Sequence, residues 1–217
     1  DMAKAIKWYT EAAEQGLADA IYNLGICHEE GQGVEHDAIK AVELYTMAAD
    51  QGYSAAQNRL GMCYEMGSGV PNKDITKAIH WYTRSANQEF ASAQHNLAVC
   101  YDLGKGVTVD MAKAVKWYIR AARHGHKSAQ YNLAISLEVG GNGVSKDMVN
   151  AKEWYTMAAK QGHIGAQYHL GACFEEEEGV GVDVAQNKTC ALTWYTRAAM
   201  QGHRGAVDAV RRLRGCH

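Results

Sequence analysis

Two apolar patterns alternate along this chain, and both have the period of a helix. The first has the form Asp-x-x-x-Ala-x-x-Trp-Tyr-x-x-Ala-Ala-x-Gln-Gly. The stretch Asp110 to Gly125 is one copy, with His124 in the Gln place. Apolar residues three and four apart make one face apolar, which predicts an amphipathic α-helix. The Asp at its start can accept bonds from free backbone N–H groups as an N-cap. The Gly at its end suits a left-handed C-terminal cap. The second pattern is Ala-Gln-x-Asn-Leu-Gly-x-x-Tyr-x-x-Gly, as in Ala129 to Gly140. Its small residues stand where neighbouring helices would come close.

The patterns recur in phase. Trp8, Trp81, Trp117, Trp154 and Trp194 each precede a tyrosine, and Leu44-Tyr45 fills the gap, at steps of 36, 37, 36, 37 and 40 residues. Leu24-Gly25, Leu60-Gly61, Leu97-Ala98, Leu133-Ala134 and Leu170-Gly171 keep the same phase, as do the Gly-x-Gly-Val turns from Gly31, Gly67, Gly104, Gly141 and Gly179. A single hairpin of two such helices cannot bury its apolar face, whereas a stack can. The chain is therefore predicted to be all-α: an α-solenoid of stacked antiparallel helical hairpins in a single array over residues 1–217. A partial repeat spans 1–16, five full repeats span 17–52, 53–89, 90–125, 126–162 and 163–202, and a partial repeat spans 203–217. In that last segment, Asp208 to Arg214 carries Arg211, Arg212 and Arg214, and reads as a water-facing cap or as the start of a tail. The tryptophans are read as core residues, so Trp117→Ala is expected to cost about 3–5 kcal/mol.

Composition changes this picture little. The 22 glycines are turn punctuation, and a single proline, Pro71, leaves helices unbroken. With 22 basic and 24 acidic residues the formal charge is −2, so nucleic acid is not a favoured partner. No apolar run approaches the length of a membrane-spanning helix, and the start has no signal-peptide pattern. The chain begins with Asp1 and not Met, which points to a processed product or a piece of something longer.

The phased Ala-x-x-Trp-Tyr-x-x-Ala-Ala-x-Gln-Gly, Ala-Gln-x-Asn-Leu-Gly-x-x-Tyr, Gly-x-Gly-Val and Asp motifs resemble the Sel-1-like repeat, a relative of the tetratricopeptide repeat, over essentially the whole chain. The resemblance implies a right-handed superhelix with a concave inner face, and a role as a scaffold or adaptor in multiprotein complexes. In the tetratricopeptide register the Leu-Gly helix would line that face. Tyr22, Asn58, His95, Tyr131 and Tyr168 stand two positions before its Leu, and Ile26, Met62, Val99, Ile135 and Ala172 two after it. The polar-aromatic row suits a protein contact, where Tyr is enriched. The competing reading is that both rows only pack between neighbouring repeats.

Glu29, Glu65, Asp102, Glu138 and Glu175 form an acid ladder late in the Leu-Gly helix. An acid there opposes the helix dipole, and Lys4, Lys40, Lys77 and Lys113 are the expected ion-pair partners. The run Glu175, Glu176, Glu177 and Glu178 reads as a solvated loop or an acidic docking site. Cys27, Cys63, Cys100 and Cys173 are equivalent. Stacked hairpins hold equivalent atoms roughly 9–10 Å apart, beyond the ~7 Å limit for a disulfide, so these should be free buried thiols. Cys190 and Cys216 lie off the pattern. His126, His163 and His203 share a repeat position and read as helix-start residues. Asn187 opens a sequon and aligns with the capping aspartates, so it reads as an N-cap. No metal site, cofactor site or catalytic motif (Gly-x-Ser-x-Gly, Ser-x-x-Lys, a phosphate loop or His-Glu-x-x-His) is found.

The leading expectation is a non-catalytic adaptor that binds a partner protein or peptide. A structural subunit of a large, membrane-associated or other complex is the alternative. A β-lactam hydrolase of the cysteine-rich type in this family is less favoured, because those carry paired cysteines in each repeat and this chain has one. Unpaired thiols favour a reducing compartment such as the cytoplasm, and the alternative is the endoplasmic reticulum lumen or another organelle.

Overall fold

The computed structural model describes residues 2–176 and 184–215. Twelve helices are found among them: α1 (Met2–Glu14), α2 (Ala18–Glu30), α3 (Ala38–Asp50), α4 (Ser54–Met66), α5 (Ile75–Ala86), α6 (Ala91–Leu103), α7 (Met111–Arg123), α8 (Lys127–Val139), α9 (Met148–Lys160), α10 (Ile164–Glu176), α11 (Val184–Met200) and α12 (Arg204–Arg214). The described residues contain no strand. Odd-numbered helices carry the Trp-Tyr pattern and even-numbered ones the Leu-Gly pattern, and adjacent helices pack in pairs, as in a helical repeat fold. The contacts divide into two compact units, Asp1–Ala121 and Ala122–His217.

The caps follow the sequence. In the first unit Lys40, Lys77 and Lys113 donate their backbone N–H to Asp37, Asp74 and Asp110 at 2.9, 3.0 and 2.9 Å, and in the second Asn150 donates to Asp147 at 3.0 Å. The helix-start histidines also act as caps. Nδ1 of His126, His163 and His203 accepts from the N–H of Ala129, Ala166 and Ala206 at 3.2, 3.2 and 3.1 Å.

The cap at His163 is pH-sensitive, because a protonated Nδ1 cannot accept. Burial, with a smaller push from Lys127, holds His163 below its ordinary value of 6.5. As pH falls, the unfolded chain therefore takes up the proton first. The cap's contribution is complete above the unfolded value and is lost as pH falls through it toward the folded value. His163→Asn, which caps without titrating near neutrality, is expected to flatten the decline in melting temperature between pH 7.5 and 5. The difference at the acid end should correspond to about 1 kcal/mol, an ordinary capping contribution.

The core is built on tyrosine. Tyr45, Tyr82, Tyr118 and Tyr155 are fully buried, and Tyr195 nearly so. Each ring needs a small residue on the Leu-Gly helix. A Cβ added at Gly25 would lie 2.6 Å from Tyr45, at Gly61 2.7 Å from Tyr82 and at Gly171 2.8 Å from Tyr195. Alanines, Ala98 and Ala134, fill that place in the other copies.

The tryptophans do not occupy the place expected of them. Trp8 is 66% exposed, and Trp81, Trp117, Trp154 and Trp194 are only half-buried. Trp81, Trp117, Trp154 and Trp194 pack against the edges of buried clusters, Trp117 on the one that contains Ala78, Tyr82 and Leu97. Arg84, Arg120 and Arg197 stack over Trp81, Trp117 and Trp194 at 5.0, 4.6 and 4.6 Å. Successive residues on a helix point about 100° apart, so only one of the Trp-Tyr pair can face inward.

A second correction concerns Asn187, which lies inside α11 and not at its N-cap. Val184, Ala185 and Gln186 precede it in helical conformation, so α11 starts earlier than the repeat pattern implies.

Candidate protein-interaction surface

The acid ladder is anchored by tyrosine. The hydroxyls of Tyr45, Tyr82, Tyr118, Tyr155 and Tyr195 donate to Glu29, Glu65, Asp102, Glu138 and Glu175, at 2.7 Å for Glu65 and 2.9 Å for Asp102 and Glu175. Cations reach three of these acids from further along the chain, and a histidine reaches a fourth. Arg59 bonds Glu29 at 2.8 Å and Lys105 bonds Glu65 at 2.8 Å. In the second unit His169 stands 3.5 Å from Glu138, and Arg212 grips Glu175 with both terminal nitrogens at 2.5 and 2.9 Å. The expected lysine partners are thus overturned. Lys40 pairs with Glu43, while Lys77 and Lys113 pair with Asp74 and Asp110 and lie over the rings of Tyr64 and Tyr101. Lysine and phenol stand on the same helices, but the phenol is the one turned toward the acid, and its bond needs no long flexible side chain to be ordered.

The shared proton sites polarise both partners. Burial, reinforced by the Glu65 carboxylate, pushes the Tyr82 hydroxyl far above its ordinary range. Burial alone would raise Glu65, but the bonds from Lys105 and Tyr82 outweigh it and hold the carboxyl low. The bonds from Arg212 and Tyr195 likewise hold Glu175 low against its burial, so Glu65 and Glu175 are ionised structural acceptors at neutral pH.

Glutamines tie the copies together in a way the sequence reading missed. Gln57 donates to the Ala49 carbonyl at 3.0 Å and accepts from Gln88 at 2.7 Å. In the second unit Gln130 donates to Ala122 and accepts from Gln161, and Gln167 donates to Ala159 and accepts from Gln201. Each amide is buried with donor and acceptor both used. The signal was a Gln at a constant repeat position, which is unusual for a core-facing site.

The two rows expected on the interaction face are half-buried, apart from Asn58, which is buried and accepts from Asn96 at 3.0 Å. Tyr22 lies 5.6 Å from the Tyr45 ring and 5.3 Å from Tyr53, and His95 lies 6.0 Å from Tyr118. In the second unit Tyr131 stacks on His163 at 4.3 Å and Tyr168 on His203 at 4.4 Å. The row therefore braces successive even-numbered helices while keeping part of each ring accessible. Ile26, Met62 and Ile135 pack on their local cores, and Val99 is likewise half-buried. Within the first unit, Met62, Glu65, Met66, Lys73, Tyr82 and Asn96 line a groove of about 510 Å³. Met66 at its rim is 52% exposed.

Cys27, Cys63 and Cys100 are buried free thiols, Cys173 is buried at the equivalent position, and Cys190 is a half-buried free thiol. Burial pushes Cys63 and Cys100 up to about 11, which leaves little thiolate for chemistry at neutral pH. Glu175 and Glu176 form the end of α10 and not part of a loop. Glu177, Glu178 and Cys216 lie outside the described residues. Among the described residues, no group of three or more His, Cys, Asp or Glu is placed to hold a metal ion, and no helix is long and apolar enough to cross a membrane.

Paired helices with a constant polar spine and a repeating half-exposed face define a helical repeat protein. The Sel1 repeat model matches residues 1–17, 18–53, 54–90, 91–126, 127–163 and 164–203, so the chain belongs to the Sel1 repeat family. A Sel1 repeat protein from Oxalobacter formigenes is 33% identical, with a TM-score of 0.79 over 90% of this chain and 76% of that one. A protective antigen of uropathogenic Escherichia coli strains, with an SLR fold, is 30% identical, with a TM-score of 0.54 over 98% of this chain and 52% of that one. A Sel1 repeat protein from Klebsiella pneumoniae subsp. pneumoniae shares the fold at 23% identity, with a TM-score of 0.59 over 96% and 98% of the two chains. No curated protein sequence matches the chain. Sel1 repeat proteins are generally protein-interaction scaffolds and are typically not enzymes.

Proposed function

We propose that this chain is a non-catalytic adaptor that holds a partner protein or peptide against its even-numbered helices. The observation that carries the reading is the repeated half-exposed aromatic and apolar surface on those helices, with the groove lined by Met62 and Met66 as part of it in the first unit. Such a surface offers rigid rings for contact and flexible methionines that adapt to a partner. Tyr22, His95, Tyr131, Tyr168, Ile26, Val99 and Ile135 would contribute at equivalent places, with Asn58 setting the height of its neighbours from beneath.

The test is affinity capture from the source cell with the native chain and with Met62→Arg, Met66→Arg. Arg has nearly the helix propensity of Met, so helicity should be unchanged. A stoichiometric partner retained by the native chain and lost with the variant is expected. A partner kept by both would instead favour a structural subunit bound through another surface. No partner at all would overturn the adaptor reading.

A further inference from the structure

The outward faces of α5 and α7 differ in charge from the other odd-numbered helix faces of the first unit. Along α1 and α3 basic and acidic residues are mixed: Lys4 and Lys7 with Glu11 and Glu14, then Lys40 with Glu43 and Asp50. Neither α5 nor α7 contains a single acid. Lys77 and Lys113 at their starts are engaged by the capping aspartates. His80, Arg84, Lys116 and Arg120 are exposed. Of these, Arg84 and Arg120 stand over Trp81 and Trp117, with Cζ 5.0 and 4.6 Å from the ring centroids. Each guanidinium is therefore restrained by cation–π contact with a half-buried indole. The two helices are neighbours in the fold, because Trp117 packs on a cluster containing Ala78 and Tyr82 of α5.

We infer that this face is a docking surface for an acidic peptide segment of a partner protein, separate from the even-numbered helix surface proposed above. Two pre-oriented guanidinium groups suit bidentate carboxylate recognition, and stacking lowers the entropy lost when they bind. The indole edges give apolar contact to side chains between the carboxylates. An extended peptide projects alternate side chains to one side, so acids alternating with apolar residues match a surface that offers cation and ring together. Nucleic acid fits less well. The patch is small, and the chain as a whole carries a formal charge of −2, whereas phosphate-backbone binding draws on many cations at once.

The experiment uses the full chain and a fluorescein-labelled twelve-residue peptide of alternating Glu and Leu, read by anisotropy. Indole N–H resonances of Trp81 and Trp117 are followed by NMR. Saturable binding is expected, with both indole signals shifting and the affinity falling at higher salt. Arg84→Glu, Arg120→Glu should weaken it at least tenfold with helicity unchanged, while Arg84→Lys, Arg120→Lys should retain part of it. Met62→Arg, Met66→Arg should leave it intact, which separates this surface from the groove. Four results would overturn the inference: no saturable binding; equal binding by the charge-reversed variant; tighter binding of a single-stranded oligonucleotide through the same arginines; or self-association of the chain abolished by the same reversal.

Discussion

Tyr118→Ala is expected to lower the stability of the first unit by about 3–5 kcal/mol, the cost of removing a buried aromatic ring. Tyr118 is fully buried, and its hydroxyl donates to Asp102 at 2.9 Å. Tyr118→Phe keeps the ring and removes only that bond, so it should cost about 1.5–3 kcal/mol, the range for a hydrogen bond to a charged acceptor. Trp117→Ala should cost less than Tyr118→Ala, about 1–3 kcal/mol, because the indole is only half out of water and part of its surface is covered by Arg120. Urea unfolding followed by helicity gives the three midpoints. Repeat arrays can lose one segment before the rest, so amide exchange in α6 and α7 locates the loss. An order with Trp117→Ala the most costly would mean that the tryptophan, and not the tyrosine, organises the core.

That inversion marks the boundary of what was legible in the sequence. Helix number, order and caps could be read because they depend on local chemistry: Asp37, Asp74, Asp110 and Asp147 meet their N–H groups within their own first turn. The rotation of each helix about its axis could not, because Trp and Tyr are adjacent and both belong to the apolar stripe. The partners of the acid ladder depend on that same rotation, which turns Tyr45 and Tyr82 toward Glu29 and Glu65 and turns Lys77 away to Asp74. At Asn187 the repeat pattern pointed to a cap, but capping depends on what precedes it, and Val184, Ala185 and Gln186 are already helical. The rows expected on an interaction face are half-buried apart from Asn58, and Tyr131 and Tyr168 stack on His163 and His203. Spacing puts a residue at a repeat seam and does not by itself divide cohesion from contact.

Glycines offer a graded test of how tightly the first unit is packed. Gly52, Gly106 and Gly69 have nearly the same backbone conformation, with φ of 91°, 68° and 68°. Alanine should cost each about 1–2 kcal/mol for the left-handed conformation. Their surroundings differ. A Cβ at Gly52 would meet nothing within 4 Å, one at Gly106 would meet Ile75 side-chain carbons at 2.8 and 2.9 Å, and one at Gly69 would lie 2.1 Å from the backbone oxygen of Ala38 and 2.7 Å from its carbon. The isoleucine can move, whereas the Ala38 carbonyl belongs to the first turn of α3 and can retreat only if the helix or the turn shifts. Overpacking of this kind adds about 1–3 kcal/mol, so Gly69→Ala should cost about 2–5 kcal/mol in all, with Gly106→Ala between the extremes. Thermal unfolding of the three variants gives the order. If Gly69→Ala were no worse than Gly52→Ala, the turn after α4 would not be pressed against α3. The glycine would then be there for its backbone conformation alone, and the second glycine of each Gly-x-Gly-Val motif would be a turn marker and not a contact between successive repeats.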